Sequence, residues 1–204
     1  EDDYFGPPLN RAARILALAG PAAIATPQGN RRMRDLTWTF SPSFPVFVDG
    51  EEATRSTHVT IEENGYDLQR WSFYEHTATH MDAPGHFTPG GRLSPDIGLD
   101  DLFVPAVVVD ISDKVASDHD AEVTVDDLIG FERRHGRITR RSAVLMYSGW
   151  GSPALSPALY RGTDGSGVYH FPGFDVEAIE WLIDRRDITG IGVDTLSLDH
   201  GPST

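Results

Sequence analysis

The order of apolar and polar positions divides the chain into short strands and two amphipathic helices. Val104 to Ile111 is a nearly continuous apolar run around Pro105, and Ser142 to Tyr147 is a second. Runs of this length without alternation predict strands buried on both faces. Ile188 to Val193 predicts a third. Between them, Thr124 stands as N-cap of a helix with Asp126 and Asp127 in its first turn. Leu128, Ile129 and Phe131 form its apolar face, and Gly136 is its stop. Asp175 caps a second helix over Val176 to Arg185. Nearer the start, Arg55 to Glu62 alternates weakly and Asp67 to Tyr74 is rich in aromatics. Asn64-Gly65 lies between them, so the pair predicts a β-hairpin. Arg34 to Phe40 reads as a strand running into the proline-stiffened turn Ser41-Pro42-Ser43-Phe44-Pro45.

The strand–helix–strand order of the second half predicts a crossover with a ligand site outside the strand C-termini. The excursion Ala154 to Tyr169 carries Gly162, Gly165 and Gly167. It lacks the strand–turn–helix context of a phosphate loop, which excludes nucleotide binding. His170, between Tyr169 and Phe171, reads as structural.

Composition narrows the function. The 204 residues suit one domain, and the formal net charge of −14 argues against nucleic acid or an anionic membrane as partner. No apolar run reaches the roughly 18 residues of a membrane span. With no cysteine, any metal must be held by nitrogen and oxygen. Residues 1–32 differ in character. Arg11 and Arg14 precede a small-apolar run from Ile15 to Ala25 that ends Ala23-Ile24-Ala25. That is either a secretory signal or a docking helix followed by a linker, so the compartment is cytoplasmic or exported. The domain proper is 33–204.

The chemistry concentrates in Glu75-His76-Thr77-Ala78-Thr79-His80-Met81-Asp82-Ala83-Pro84-Gly85-His86-Phe87. His76 and His80 are four apart, so one turn of helix would present both imidazoles to one divalent ion. Asp82 adds a carboxylate if the chain leaves the helix there, and Pro84 favours that exit. His86 lies beyond the break, placed for acid–base work near neutral pH. Tyr74 and Phe87 flank the polar groups with rings. The loop Thr88 to Pro95 that follows is long enough to cover the site. Zinc and manganese both suit such donors.

This stretch resembles the signature of the metal-dependent cyclase or kynurenine formamidase-like hydrolase family, His-x-Gly-Thr-His-x-Asp-x-Pro-x-His-Phe. His76, Thr79, His80, Asp82, Pro84, His86 and Phe87 match it. Ala78 stands where the family usually has glycine, which carries a cost if that position needs positive φ. The resemblance implies an α/β single domain of mixed β-sheets with flanking helices, of the swivelling β/β/α type. It implies that His76, His80 and Asp82 ligate the metal and that His86 is the catalytic acid–base. Phe44 falls where the family carries an aromatic against the substrate, and Trp38 where many relatives have histidine. Trp150, at a strand end, could line the same pocket. Asp194-Thr195-Leu196-Ser197-Leu198-Asp199 resembles the family's Asp-Thr-x-Ser-x-Asp loop. The resemblance implies that Asp194 and His200, with Thr79 of the histidine stretch, stand behind the ligands or in the pocket.

The activity implied is hydrolysis of an amide or cyclic amide in a small molecule, an aromatic one among the candidates, as in aryl formamidases and isatin hydrolases. The alternatives are a polyketide-type cyclase or lyase and a disabled metal-binding homologue. A bacterial homodimer or homotetramer is implied. Relatives of this kind run on past the Asp-Thr-x-Ser-x-Asp loop with further ligands, so the chain is expected to lack the domain's C-terminal part.

Overall fold

A computed structural model of the chain describes residues 35–151 and 156–203. The expectations for residues 1–32 lie outside these. Strand β1 (Thr54–Val59) and strand β2 (Leu68–Ser72) pair antiparallel, with Arg55 opposite Trp71 and a bulge between Thr57 and Val59. They are joined by α1 (Ile61–Asn64), a single helical turn. Thr60 caps its start by accepting from Glu63 N, and Gly65 ends it at φ 80°, where a left-handed residue satisfies the Ile61 carbonyl. The predicted hairpin is therefore present, but its connection is a capped helical turn.

After the histidine-rich stretch come α2 (Leu99–Leu102), β3 (Ala106–Asp110) and α3 (Ser112–Val115). Then follow β4 (Glu122–Val123), α4 (Val125–His135), β5 (Ala143–Tyr147) and α5 (Pro157–Arg161). The chain continues through β6 (Gly173–Phe174), α6 (Val176–Arg186) and β7 (Gly190–Gly192). Strands β3, β5 and β7 form a parallel sheet with β5 central, Ala106 opposite Ala143 and Ala143 opposite Gly190. Strands β4 and β6 form a second parallel pair.

Both long helices form where the pattern predicts. Thr124 and Asp127 close a capping box on α4, and Gly136 at φ 89° ends it. Asp175 accepts from Glu177 N at the start of α6. Leu128 of α4 and Leu182 of α6 are fully buried with Val144 of β5 and with Phe171 and Phe174. Truncating either leucine to alanine would cost about 2–5 kcal/mol.

The first half is packed differently. Its large apolar side chains are widely exposed, among them Phe73, Tyr74, Phe87 and Leu93, whereas nearly all the core lies after residue 105. The strand expected over Arg34 to Phe40 does not form among the described residues. Thr37 N is taken by Asp35 Oδ1 at 2.9 Å and Trp38 N by Thr79 Oγ1 at 3.0 Å. Side-chain oxygens thus occupy donors that a sheet partner would need.

Candidate metal centre

Strand β2 hands the chain to a turn at Glu75–Thr79. The turn is pinned by Thr77, whose buried hydroxyl donates to the Tyr74 carbonyl at 2.7 Å. Ala78 then takes φ 63°. This corrects the expected helix: His76 and His80 meet across a left-handed turn, not along a helical face.

The turn carries a chemical consequence. The Ala78 carbonyl lies 2.6 Å from His80 Nδ1 and accepts its proton. That holds His80 in the tautomer whose Nε2 presents a lone pair. His80 Nε2 lies 3.3 Å from His76 Nδ1 and 3.2 Å from Asp82 Oδ1, and the last two are 2.7 Å apart. Ligands at 2.0–2.2 Å from a tetrahedral or octahedral ion stand about 2.8–3.6 Å from one another. Two edges fall in that range and the third lies about 0.1 Å below it, so a small outward shift of Asp82 from His76 makes the triangle fit one divalent cation. Among the described residues, it is the one group of three or more such donors that comes this close together.

The electrostatics agree. Burial pushes the Asp82 carboxyl up, but hydrogen bonds and charge from His80 and His76 outweigh it and hold the pKa at about 2. Burial pushes His80 down, and it is outweighed by Asp82, the Ala78 carbonyl and Glu75, so its pKa is raised. The ionised Asp82 carboxylate thus faces both imidazoles, a charge that attracts cations to the site. His76 Nε2 is buried without a hydrogen-bond partner, and Glu75 Oε1, at 3.6 Å, is too far to serve.

Past Asp82 the chain turns at Ala83 into a 3-10 turn, Pro84–His86, with Pro84 leading it. The His86 ring lies 4.0 Å from that of His76 and 4.1 Å from that of Phe87. Gly85 N donates to the Arg92 carbonyl at 2.8 Å, folding the following loop back under this turn. A Cβ on Gly85 would lie 3.0 and 3.1 Å from the Gly91 and Arg92 carbonyl oxygens, tighter than an ordinary contact, so the closure favours glycine. Arg92 and Arg141 both bind the Asp101 carboxylate, which ties the loop to the start of β5.

The sequence profile described as "Putative cyclase" matches residues 34–200. This chain belongs to the cyclase family. It is 33% identical over 186 residues to isatin hydrolase of Roseibium aggregatum, covering 85% of the chain and 70% of that protein. It is 25% identical over 173 residues to kynurenine formamidase of Erythrobacter litoralis, covering 84% and 69%. Among solved structures, isatin hydrolase A from Ralstonia solanacearum superposes with a TM-score of 0.75 at 33% identity, covering 82% of this chain and 68% of that one. The mixed α/β fold, with its parallel and antiparallel sheets, is that of the cyclase-family isatin hydrolases.

In this cyclase-family chain the structure brings His76, His80, Asp82, His86 and Thr79 into one place. Thr79 serves there as the acceptor for Trp38 N. The other expected site residues have partners elsewhere. Asp194, just past β7, accepts from Ser148 N at 3.1 Å and Ser148 Oγ at 2.5 Å, joining the C-terminal ends of β7 and β5. His200 Nδ1 lies 3.0 Å from Glu122 Oε1. Trp150 is buried in the core, with its indole N–H donated to the Tyr160 carbonyl at 2.7 Å. Phe44 is half-buried in a turn closed by Phe44 N on the Ser41 carbonyl. His170 is held by Asp120 at 2.7 Å.

Tyr74 and Phe87 do not enclose the polar groups, being 62% and 84% exposed. Glu75 is the neighbour that sequence reasoning passed over, although its place directly before His76 was a signal. No helix among the described residues is long and apolar enough to cross a membrane.

Proposed function

We propose that this chain is a metal-dependent hydrolase of an amide or cyclic amide bond in a small, aromatic molecule. The observation that carries the reading is the triangle of His76 Nδ1, His80 Nε2 and Asp82 Oδ1, with edges of 2.7–3.3 Å. A divalent ion held there, zinc or manganese, supplies a lowered pKa for water and polarisation of a carbonyl oxygen. Asp82 contributes a carboxylate that stays ionised, and the Ala78 carbonyl keeps the His80 lone pair facing inward. His86 stands beside the triangle, against the His76 ring. In this reading it takes the proton from the attacking water on a ring nitrogen and returns it to the leaving nitrogen. Phe44 is assigned to the substrate, and Thr79, Asp194 and His200 to the support of the pocket; Trp150, buried on the Tyr160 carbonyl, backs the pocket from within the core and does not touch substrate. The names of the relatives, isatin hydrolase and kynurenine formamidase, support a C–N bond as target. The exposed apolar side chains of the first half support a homodimer or homotetramer.

The test is turnover of isatin and of formanilide by purified protein, with elemental analysis of the same sample. Hydrolysis should vanish with a chelator and return with zinc or manganese. Activity untouched by chelator but lost to a serine-directed reagent would sink the mechanism. A dehydrated or cyclised product in place of a ring-opened acid would favour the cyclase or lyase alternative.

A further inference from the structure

Residues 38–49 form a strap tied down at both ends. At its start, Trp38 N donates to Thr79 Oγ1, one residue before His80. Next along, Phe40 packs on Trp71 and Phe73 of the hairpin segment, with ring centres 5.0 and 5.1 Å apart. At its far end Arg161 Nη1 donates to the Val46 carbonyl at 3.1 Å and Nη2 to Asp49 Oδ1 at 2.6 Å. The Tyr169 hydroxyl donates to the Phe47 carbonyl at 2.8 Å, and its ring stands edge-on to Phe47. These last contacts join residues more than a hundred positions apart.

Arg161 is only 8% exposed. A buried guanidinium is tolerated when its donors are paired, and here both acceptors come from the strap. The strap covers Arg161 and supplies the acceptors for the guanidinium it takes from water, so the contact fixes where the strap lies more than it adds stability. The base beneath Arg161 is fixed as well. The next residue, Gly162, sits at φ 59°, and a Cβ there would lie 2.2 Å from the His170 carbonyl oxygen. Tyr160 accepts from the Trp150 indole and donates to the Asp194 carbonyl at 3.0 Å. One chain of contacts thus runs from the strand ends through α5 and the strap to the turn that holds His80.

We propose that Arg161 is a positioning residue for substrate. It holds the strap, which carries Phe44 and begins at the Thr79 contact beside His80, in the place from which Phe44 meets a substrate bound at the His76–His80–Asp82 triangle. This rests on the hydrolase reading above. Arg161 touches no reacting atom in this scheme; it sets how well the substrate is seated, not how fast the bond breaks.

The test uses the 204-residue chain loaded with zinc, with isatin as probe, in wild type, Arg161→Met, Arg161→Lys and Asp49→Ala forms. Arg161→Met should raise KM about tenfold and leave kcat within about twofold, the signature of lost uniform binding. Zinc content should not change. Arg161→Lys should recover part of the loss, because an ammonium can still reach one acceptor. Amide hydrogen exchange in 38–49 should rise in Arg161→Met while 143–147 stays protected. A fall in kcat at unchanged KM, loss of zinc, or unaltered exchange in the strap would overturn the proposal. Should Arg161→Met not fold, Asp49→Ala decides, since it removes the carboxylate that holds Arg161 Nη2 by changing an exposed side chain; unaltered exchange at 46–49 would again overturn the proposal. A wild type inactive on isatin would count against the hydrolase reading, while the exchange data still decide whether Arg161 holds the strap.

Discussion

Ala78 and His80 are joined by a hydrogen bond that a left-handed residue makes possible. Ala78 sits at φ 63°, and its carbonyl accepts from His80 Nδ1 at 2.6 Å. The same backbone angle that turns the chain therefore selects the tautomer of a proposed ligand. Thr77, pinned to the Tyr74 carbonyl, holds the turn from the other side.

The strain at Ala78 gives a first prediction. A left-handed conformation costs an L-residue with a Cβ about 1–2 kcal/mol. Glycine returns about 0.4–1 kcal/mol of that through its freer unfolded chain. Ala78→Gly should therefore stabilise the protein by up to about 1 kcal/mol, a rise of roughly 2–4 °C in Tm. Ala78→Val should destabilise it, because a branched side chain fits this region worse. Thermal melts of the three proteins settle the matter; a lower Tm for the glycine variant would show that the turn is not strained.

Much of the parallel half was legible in the sequence, because local signals and the final packing agree there. Thr124, Asp127 and Gly136 mark the ends of α4 by short-range chemistry alone, as Asp175 does for α6. The site was legible in membership but not in geometry. A spacing of four between His76 and His80 fits a helical turn or a left-handed one, and only the fold of Glu75–Thr79 decides. The strand expected before Phe40 failed for a long-range reason: its donor at Trp38 goes to a hydroxyl 41 residues away. Arg161 carried no signal at all, since its partner Asp49 is 112 positions distant.

Acid stability should depend on Glu132. Its carboxylate takes two hydrogen bonds from Arg186, at 2.6 and 2.7 Å, and one from Ile138 N at 2.9 Å. The Arg186 guanidinium, against the opposing effect of burial, holds Glu132 below the usual carboxylate range. A pKa depressed in the folded state stabilises fully above the unfolded value and is lost as pH falls through the folded one. Glu132→Gln should cost about 1.5–3 kcal/mol at pH 7, since it removes the counter-charge and charge-assisted hydrogen bonds of the partly buried Arg186. The gap between the two proteins should narrow as pH drops below about 4. Urea denaturation at pH 7, 5 and 3.5 tests this; a constant gap would rule out the linkage.

The loop carrying Asp194 to His200 rests on a glycine with no room to spare. A Cβ on Gly173 would lie 2.3 Å from both Asp199 C and His200 N, which are backbone atoms and cannot swing aside. Phe174 N, next in β6, donates to the Leu198 carbonyl at 2.7 Å. Gly173→Ala should therefore destabilise by about 3 kcal/mol or more and push the loop off β6. Gly190→Ala is the control, because a Cβ there meets nothing within 4 Å. Its effect should stay within about 0.5 kcal/mol. Similar losses in both would mean that generic strand effects, not this contact, set the cost.

The division of roles between His80 and His86 is the most direct test of the chemistry. His80 Nε2 lies within 3.3 Å of both other corners of the triangle, with its far nitrogen fixed by Ala78. Deleting it removes a donor and the geometry that depends on it. His80→Ala should therefore lose most bound zinc or manganese by elemental analysis, and activity with it. His86 is exposed, approaches the triangle with its ring tilted against that of His76, and stands outside the three mutually close donors. His86→Ala should keep nearly all of its metal and lose about 10²–10⁴-fold in turnover, the usual contribution of a positioned acid–base group. His86→Gln, which can hydrogen-bond but not shuttle a proton near neutral pH, should be as slow. Equal metal loss from the His80 and His86 variants would make His86 a ligand, and the proton would then need another carrier, with Glu75 the nearest carboxylate outside the triangle to His76.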